Sequence, residues 1–141
     1  MSLGAGLYEY LSAELSVGDR VYPLTLPART GLPAVVYQTI PAAGPLTSHS
    51  DRRGAEDPVP TTTGYQRSRV QFGCWADSYE DAEALALELY ALLHGFTGPM
   101  GPVTIHASLG DLSQDDYDAD RRLYRRVADF MVSWSGPVGG S

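Results

Sequence analysis

The chain contains no lysine, and all ten of its basic residues are arginine. Its seventeen acidic residues give a formal net charge of −7 and a pI near 4.7. This excess of negative charge argues against direct binding to a phosphate backbone. The absence of lysine has two alternative explanations. One is a GC-rich coding bias, and the other is selection for guanidinium groups that pair with carboxylates across subunit interfaces. The sequence is compatible with both explanations.

Cysteine and long apolar runs are also scarce. The single cysteine, Cys74, excludes an internal disulfide, and its place on the inward side of a predicted strand favours a packed thiol over a nucleophile. No apolar stretch approaches the roughly 20 residues that span a bilayer. Residues 1–15 carry acidic residues and no basic ones, so no signal peptide is expected. A length of 141 residues predicts a single domain over 1–141.

The clearest pattern lies between Tyr65 and Phe96, where a period of two changes to a helical period. Val70, Phe72 and Cys74 alternate with polar residues and with glycine, which predicts a strand with one buried face. Its opposite face carries Arg67, Arg69, Gln71 and Gly73.

Apolar residues at three- and four-residue spacing then predict the main helix over residues 78–94. They are Ala82, Leu85, Ala86, Leu89, Leu92 and Leu93. Asp77 is expected to cap this helix, with Glu80 reaching back, and Gly95 is expected to end it.

The other elements are shorter. Leucines four residues apart predict a short N-terminal helix: Leu3, Leu7, Leu11 and Leu15. Residues 32–40 and 103–109 are predicted strands, the second with Val103, Ile105, Ala107 and Leu109 on one face. Residues 123–134 fit either a helix or a strand. A strand is preferred, because the segment ends in strand-favouring residues and a sheet needs another partner.

These elements predict an α+β fold. An antiparallel sheet of about four strands packs against one main helix and the short N-terminal helix. The segment at 41–64 contains four prolines and has no usable periodicity. Because long structureless connections are uncommon inside compact domains, it is interpreted as a hairpin extension projecting from two paired strands.

No candidate for chemistry satisfies the requirements of its class. Residues 116–120 imitate the start of a calcium loop, yet Arg121 and Val127 stand where Gly and Glu are needed. The acidic cluster is therefore expected to be a solvated loop. It consists of Asp111, Asp115, Asp116, Asp118 and Asp120, whose acids face Arg121, Arg122, Arg125 and Arg126. His49, His94 and His106 lack ligand spacing. We expect no catalytic residue, cofactor or metal. A hydrolase that uses the acidic cluster is a further alternative.

Several segments in order resemble the tail completion proteins of long-tailed bacteriophages, also called tail terminator or tail-to-head joining proteins. The segments are LYEYLSAEL, GDRVYP, GLPAVVYQTI, RVQFGCWADSYEDAEALALELYALL and YDADRRLYRRVADFMVSW. The resemblance covers nearly the whole chain. It consists of sheet, helix and turn residues rather than a catalytic signature, and residues 41–64 lie outside it.

The resemblance implies a virion protein that assembles in the host cytoplasm into a hexameric ring on the head-proximal end of the tail tube. Its implied partners are other copies of the chain, the tail tube protein and a head–tail connector or stopper protein. DNA would pass through the lumen without specific binding, and no membrane is involved. The alternatives are another neck component, such as a head-completion adaptor, and a binding module unrelated to virions.

Charged and aromatic residues near the predicted extension are the candidate contacts to neighbouring subunits or to the tube. They are Arg52, Arg53, Glu56, Asp57, Tyr65, Arg67 and Arg69. Plain solvation is the alternative for each charged side chain.

Overall fold

The computed structural model describes residues 3–41 and 65–136. Its helices are α1 (Leu3–Glu14) and α2 (Tyr79–Leu93). Its strands are β1 (Val21–Pro23), β2 (Ala34–Pro41), β3 (Tyr65–Ala76), β4 (Gly98–Met100), β5 (Val103–Asp118) and β6 (Leu123–Ser135). The fold is α+β, as predicted.

The described residues form a six-stranded sheet in the order β1-β2-β3-β6-β5-β4. Strands β1 and β2 are parallel, and every other neighbouring pair is antiparallel. The prediction of about four strands was therefore too low. Strands β1 and β4 have three residues each, which is too short for a period of two to show.

Residues 123–134 do form a strand, and β6 lies at the centre of the sheet between β3 and β5. Strand β5 is longer than predicted, because it continues to Asp118 rather than ending at Leu109. Strands β5 and β6 form a hairpin with its turn at residues 119–122, and β3 pairs with the other edge of β6 as far as Ala76 opposite Tyr124.

Both helices pack on the same face of the sheet, which we call the inner face. Alternate residues of β3 and β6 project into this core, together with the leucines of α1 and α2. The rings of Phe72 and Phe130 meet edge to face with centroids 5.7 Å apart. Phe130 also covers Gly110 on β5, where an added Cβ would lie 2.1 Å from the ring. The core thus requires glycine at that position.

The main helix begins one residue later than expected. Ser78, not Asp77, is its N-cap, and the Ser78 hydroxyl accepts a hydrogen bond of 3.2 Å from the Asp81 amide. Hydroxyl and carboxylate side chains both cap helices, so composition alone does not choose between adjacent candidates. Gly95 follows the helix with a φ of 80°, which suits its predicted place at the end.

The strands that flank the predicted extension are paired. Pro41 of β2 lies opposite Ser68 of β3 in an antiparallel register. The intervening chain therefore leaves and re-enters the sheet at one end. The extension itself lies outside the described residues.

Candidate functional site

The sheet has a second face, turned away from both helices, which we call the outer face. No helix among residues 3–41 and 65–136 covers it. It carries Arg67, Arg69, Gln71, Gly73 and Trp75 of β3, as the alternation of the sequence predicted for the first four.

Strand register places outer-face residues in rows across the sheet. One row runs through Ile40, Arg69, Met131 and Leu109 on four successive strands. The row beside it contains Arg67, Ser133 and Ala107. Leu109 is 63% exposed. We use the name arginine patch for six of these residues: Ile40, Arg67, Arg69, Ala107, Leu109 and Met131.

The two arginines of this patch are in different electrostatic environments. Arg69 forms an ion pair with Asp129 at 3.3 Å, while 49% of its side chain remains exposed. Arg67 forms no ion pair with any residue in the described part of the chain. Because an exposed pair gains little free energy, both guanidinium groups remain available to a partner's carboxylates.

Sequence periodicity missed the apolar part of the patch. A β-bulge between Ile105 and Ala107 shifts the phase of β5. Ile105 faces the core, whereas Ala107 and Leu109 lie on the outer face and Ser108 is buried. The prediction that Val103, Ile105, Ala107 and Leu109 share one face was therefore wrong. The extra residue of a bulge reverses every side chain after it.

A cleft of about 280 Å³ lies at the other end of the outer face, beneath the segment that joins β1 to β2. The guanidinium carbons of Arg121 and Arg125 lie 5.9 and 5.6 Å from the centre of the Trp75 ring, within the range of cation–π attraction. Arg121 also donates a hydrogen bond to the Leu26 carbonyl oxygen at 3.2 Å. These contacts fasten the tip of the hairpin to the loop.

The acidic cluster lies in this hairpin. Asp115 and Asp116 belong to strand β5, so the predicted loop is wrong as far as Asp118, although both acids are exposed and have expected arginine partners. Arg126 pairs with Asp115 at 2.9 Å, and Arg125 pairs with Asp116. Residues 113–116 of β5 are all polar, which leaves no apolar alternation to mark a strand there.

One acid also ties the hairpin to the start of α2. The Tyr79 hydroxyl donates a hydrogen bond to Asp115 at 3.1 Å. Hydrogen bonds to Glu83 and Asp115 raise the pKa of Tyr79 to about 12.

The helices present charge of one sign only. Neither α1 nor α2 contains a basic residue. Glu88 links α2 to the turn that follows α1, since its carboxylate accepts hydrogen bonds of 2.8 Å from both the amide and the hydroxyl of Ser16. We call the surface formed by α1 and α2 the helix layer. Its acidic residues are Glu9, Glu14, Glu80, Asp81, Glu83 and Glu88.

Residue types that serve catalysis elsewhere have structural partners here. His94 accepts a hydrogen bond from the Gly110 amide at 3.1 Å and stacks on Tyr90. His106 lies 2.9 Å from the Ser135 hydroxyl. Among the described residues there is no cluster of three or more His, Cys, Asp or Glu that could hold a metal ion. In the same residues, no helix is long and apolar enough to cross a membrane.

Cys74 is fully buried, and burial raises the pKa of its thiol from 9.0 to about 12. Because the thiolate is the form that attacks a disulfide reagent, the native protein at pH 8 is expected to resist labelling until it unfolds. Below pH 9 this thiol is protonated in both the folded and the unfolded chain, whereas above pH 9 only the unfolded chain ionises, so the raised pKa lowers the free energy of unfolding as the pH rises towards 12.

Reaction with an aromatic disulfide reagent, in buffer and in urea, measures this protection. An exposed thiol at Ala13→Cys in a Cys74→Ala background is the control. Labelling of native Cys74 at the rate of the control would contradict the buried position.

The structure brings Arg67 and Arg69 together and adds apolar neighbours that the sequence did not indicate. Tyr65 begins β3, opposite Ser135 of β6. The candidates Arg52, Arg53, Glu56 and Asp57 lie outside the described residues. Cross-strand neighbours such as Met131 carry no sequence signal, because the register that brings them together is a tertiary property.

Comparison with known proteins identifies a structural relative. A chain of a solved structure described as "Virion of native gene transfer agent (GTA) particle" shares the fold with a TM-score of 0.66. The match covers 96% of each chain at 16% sequence identity, so the likeness shows the fold alone. No protein-family model and no curated protein matches the sequence.

Proposed function

We propose that this chain is a structural virion protein of a tailed phage or phage-like particle, and that it acts as a tail terminator. Copies of the chain form a hexameric ring that caps the head-proximal end of the tail tube. The ring stops tube polymerisation and provides the surface to which the head connector docks. The observation that carries the proposal is the match over nearly the full length of both chains to a component of a virion.

The physical properties of the molecule support this role. The fold is a sheet backed by two helices, and the outer face offers the exposed side chains of Leu109 and Arg69 without helical cover in the described residues. An acidic subunit also suits a channel through which DNA must slide, since like charge weakens contact with the phosphate backbone. Function then lies in surfaces that fit against other subunits.

Deletion of the gene in the parent particle, followed by electron microscopy, tests the proposal. A terminator is needed to stop tube growth, so over-long tails and separated heads are expected. Supply of the wild-type chain in trans is the control and should restore joined particles.

Gradient fractionation of the separated structures distinguishes the other neck role. A terminator remains with headless tails, whereas a head-completion adaptor remains with tailless heads. Normal particles from the deletion strain would refute a virion function altogether.

A further inference from the structure

The two sides of the molecule differ in charge, because the helix layer is acidic throughout, whereas the outer face carries arginines together with Asp111 and Asp129. The helix layer contains six acidic residues, two in α1 and four in α2, and no basic residue. Every arginine in the described residues lies in a strand, in a turn or in a loop, and Arg67 and Arg69 lie together on the outer face. Two copies that met through their helix layers would bring carboxylates against carboxylates. Contact between unlike faces is therefore favoured over contact between like faces.

The helix layer carries one exposed stripe that combines charge with apolar surface. Glu80, Ala84, Leu87 and Ala91 are all exposed and recur at four- and three-residue spacing along α2. Glu83 lies beside Glu80, three residues along the helix, and is half-buried. Leu87 is 49% exposed. These five residues, which we call the α2 stripe, are acidic at the N-terminal end and apolar at the C-terminal end.

The arginine patch has the same composition with the opposite charge. Arg67 and Arg69 lie on β3, and Leu109 lies two strands away on β5 with Met131 between them. Two strand spacings are roughly 9.6 Å. The seven-residue step from Glu80 to Leu87 rises about 10.5 Å along the helix. A helix that lies across the strands therefore places Glu80 at the arginines and Leu87 at Leu109.

We propose that copies of this chain contact one another head to tail, with the α2 stripe of one copy lying across the arginine patch of the next. Each copy uses one surface as donor and the other as acceptor, and the two surfaces lie on opposite sides of the molecule. Such heterologous contacts close into a ring when the rotation between neighbours permits. This inference rests on the proposed function, to which it adds the two contacting surfaces.

Because the chain contains no lysine, cross-linking through an introduced lysine can test the proposed contact. A zero-length carbodiimide reagent joins a carboxylate to an amine in direct contact, and the wild-type chain offers no side-chain amine. Arg67→Lys keeps the positive charge and adds one reactive amine in the patch. Arg29→Lys, in the exposed loop between β1 and β2, is the matched control.

The reaction is run on an equal mixture of isotopically labelled and unlabelled chain, and on particles from a phage that carries the variant. Mass spectrometry should find a labelled peptide with Lys at position 67 joined to an unlabelled peptide at Glu80 or Glu83. This pair should be lost in Arg29→Lys. Arg69→Lys supplies an internal control of reactivity, because Asp129 of the same chain lies 3.3 Å from the Arg69 side chain.

Charge exchange adds a second readout. It uses Glu80, the exposed acid of the stripe, and Arg67, the patch arginine without an ion pair in the described residues. Glu80→Arg and Arg67→Glu should each lower association at least tenfold alone, whereas their equal mixture should restore it. In the mixture, positions 67 and 80 carry unlike charges at every contact when the two variants alternate. Sedimentation velocity measures the assembled fraction.

Absence of the cross-linked pair from both solution and particles would overturn the proposed contact, as would failure of the mixture to restore assembly. Those results leave the deletion phenotype unchanged, so they refute the surfaces and not the terminator role. A normal phenotype of the deletion strain would instead refute the role, whatever the cross-links show.

Discussion

Replacement of Phe130 with alanine is expected to lower the free energy of unfolding by about 4 kcal/mol. The ring is 1% exposed and packs against Phe72 and Tyr90 in the core between the sheet and α2. Its loss leaves a cavity that the surrounding strands cannot fill without moving. Because a domain of this size is stable by roughly 5–15 kcal/mol, the variant is expected to lose a large share of its stability.

Urea denaturation measured by circular dichroism tests this expectation. Leu109→Ala is the matched control, since Leu109 is 63% exposed on the adjacent strand, and its effect should stay within about 0.5 kcal/mol. A loss of stability from Phe130→Ala as small as that of the control would show that the ring does not occupy the core.

A double-mutant cycle with Gly110 sharpens the test. In the wild-type chain, Gly110→Ala forces a Cβ to within 2.1 Å of the Phe130 ring, at an expected cost of about 1–3 kcal/mol. In the Phe130→Ala background the ring is gone, so the same substitution should cost much less. Additive losses would mean that the two residues do not touch.

Reversal of charge at Arg67 and Arg69 is expected to block assembly of the ring and joining of heads to tails. Arg67→Glu/Arg69→Glu places two carboxylates against the acidic end of the α2 stripe of the neighbouring copy, and like charges at an interface cost several kcal/mol. Each 1.4 kcal/mol is about a tenfold loss of affinity, so joined particles should fall by about a hundredfold or more.

Infectious titre in a complementation assay, with thermal unfolding of the purified variant, measures the effect. Arg67→Glu alone and Arg29→Glu alone carry the same change in charge and form a matched pair. We expect the first to impair joining and the second to support it. Wild-type titres from the double reversal would contradict a role for the patch, and a collapsed melting temperature would assign the defect to folding.

The elements predicted correctly are those in which an apolar pattern of constant period extends over enough residues to be recognised. Strand β3 and helix α2 each present one unbroken apolar face, so the change of period between Cys74 and Ala82 marked their junction. Strand β6 was predicted because its aromatic and β-branched residues outweighed a competing helical pattern. In each case the side chains that define the core also define the local structure.

The failures have physical causes that a single sequence does not display. A bulge beside His106 reversed the two faces of β5, and its position depends on the partner strand. The C-terminal half of β5 bears acids on both faces of the sheet, and its structure depends on ion pairs with Arg125 and Arg126 in the next strand. The candidate site was the part that the sequence predicted least completely, because Leu109 and Met131 become neighbours of Arg69 only through strand register.

The one-signed helix layer has a consequence for how fast subunits meet. It makes each molecule more negative on its helix side than on its outer face, where Asp111 and Asp129 lie beside the arginine patch. Each copy also carries a net charge of −7, so two copies repel one another at long range when the ionic strength is low. At physiological salt the field fades within about 8 Å, so this repulsion is screened while the close contacts of the interface persist. Ring closure is therefore expected to become faster as salt is added from low ionic strength, even where the final contact is unchanged.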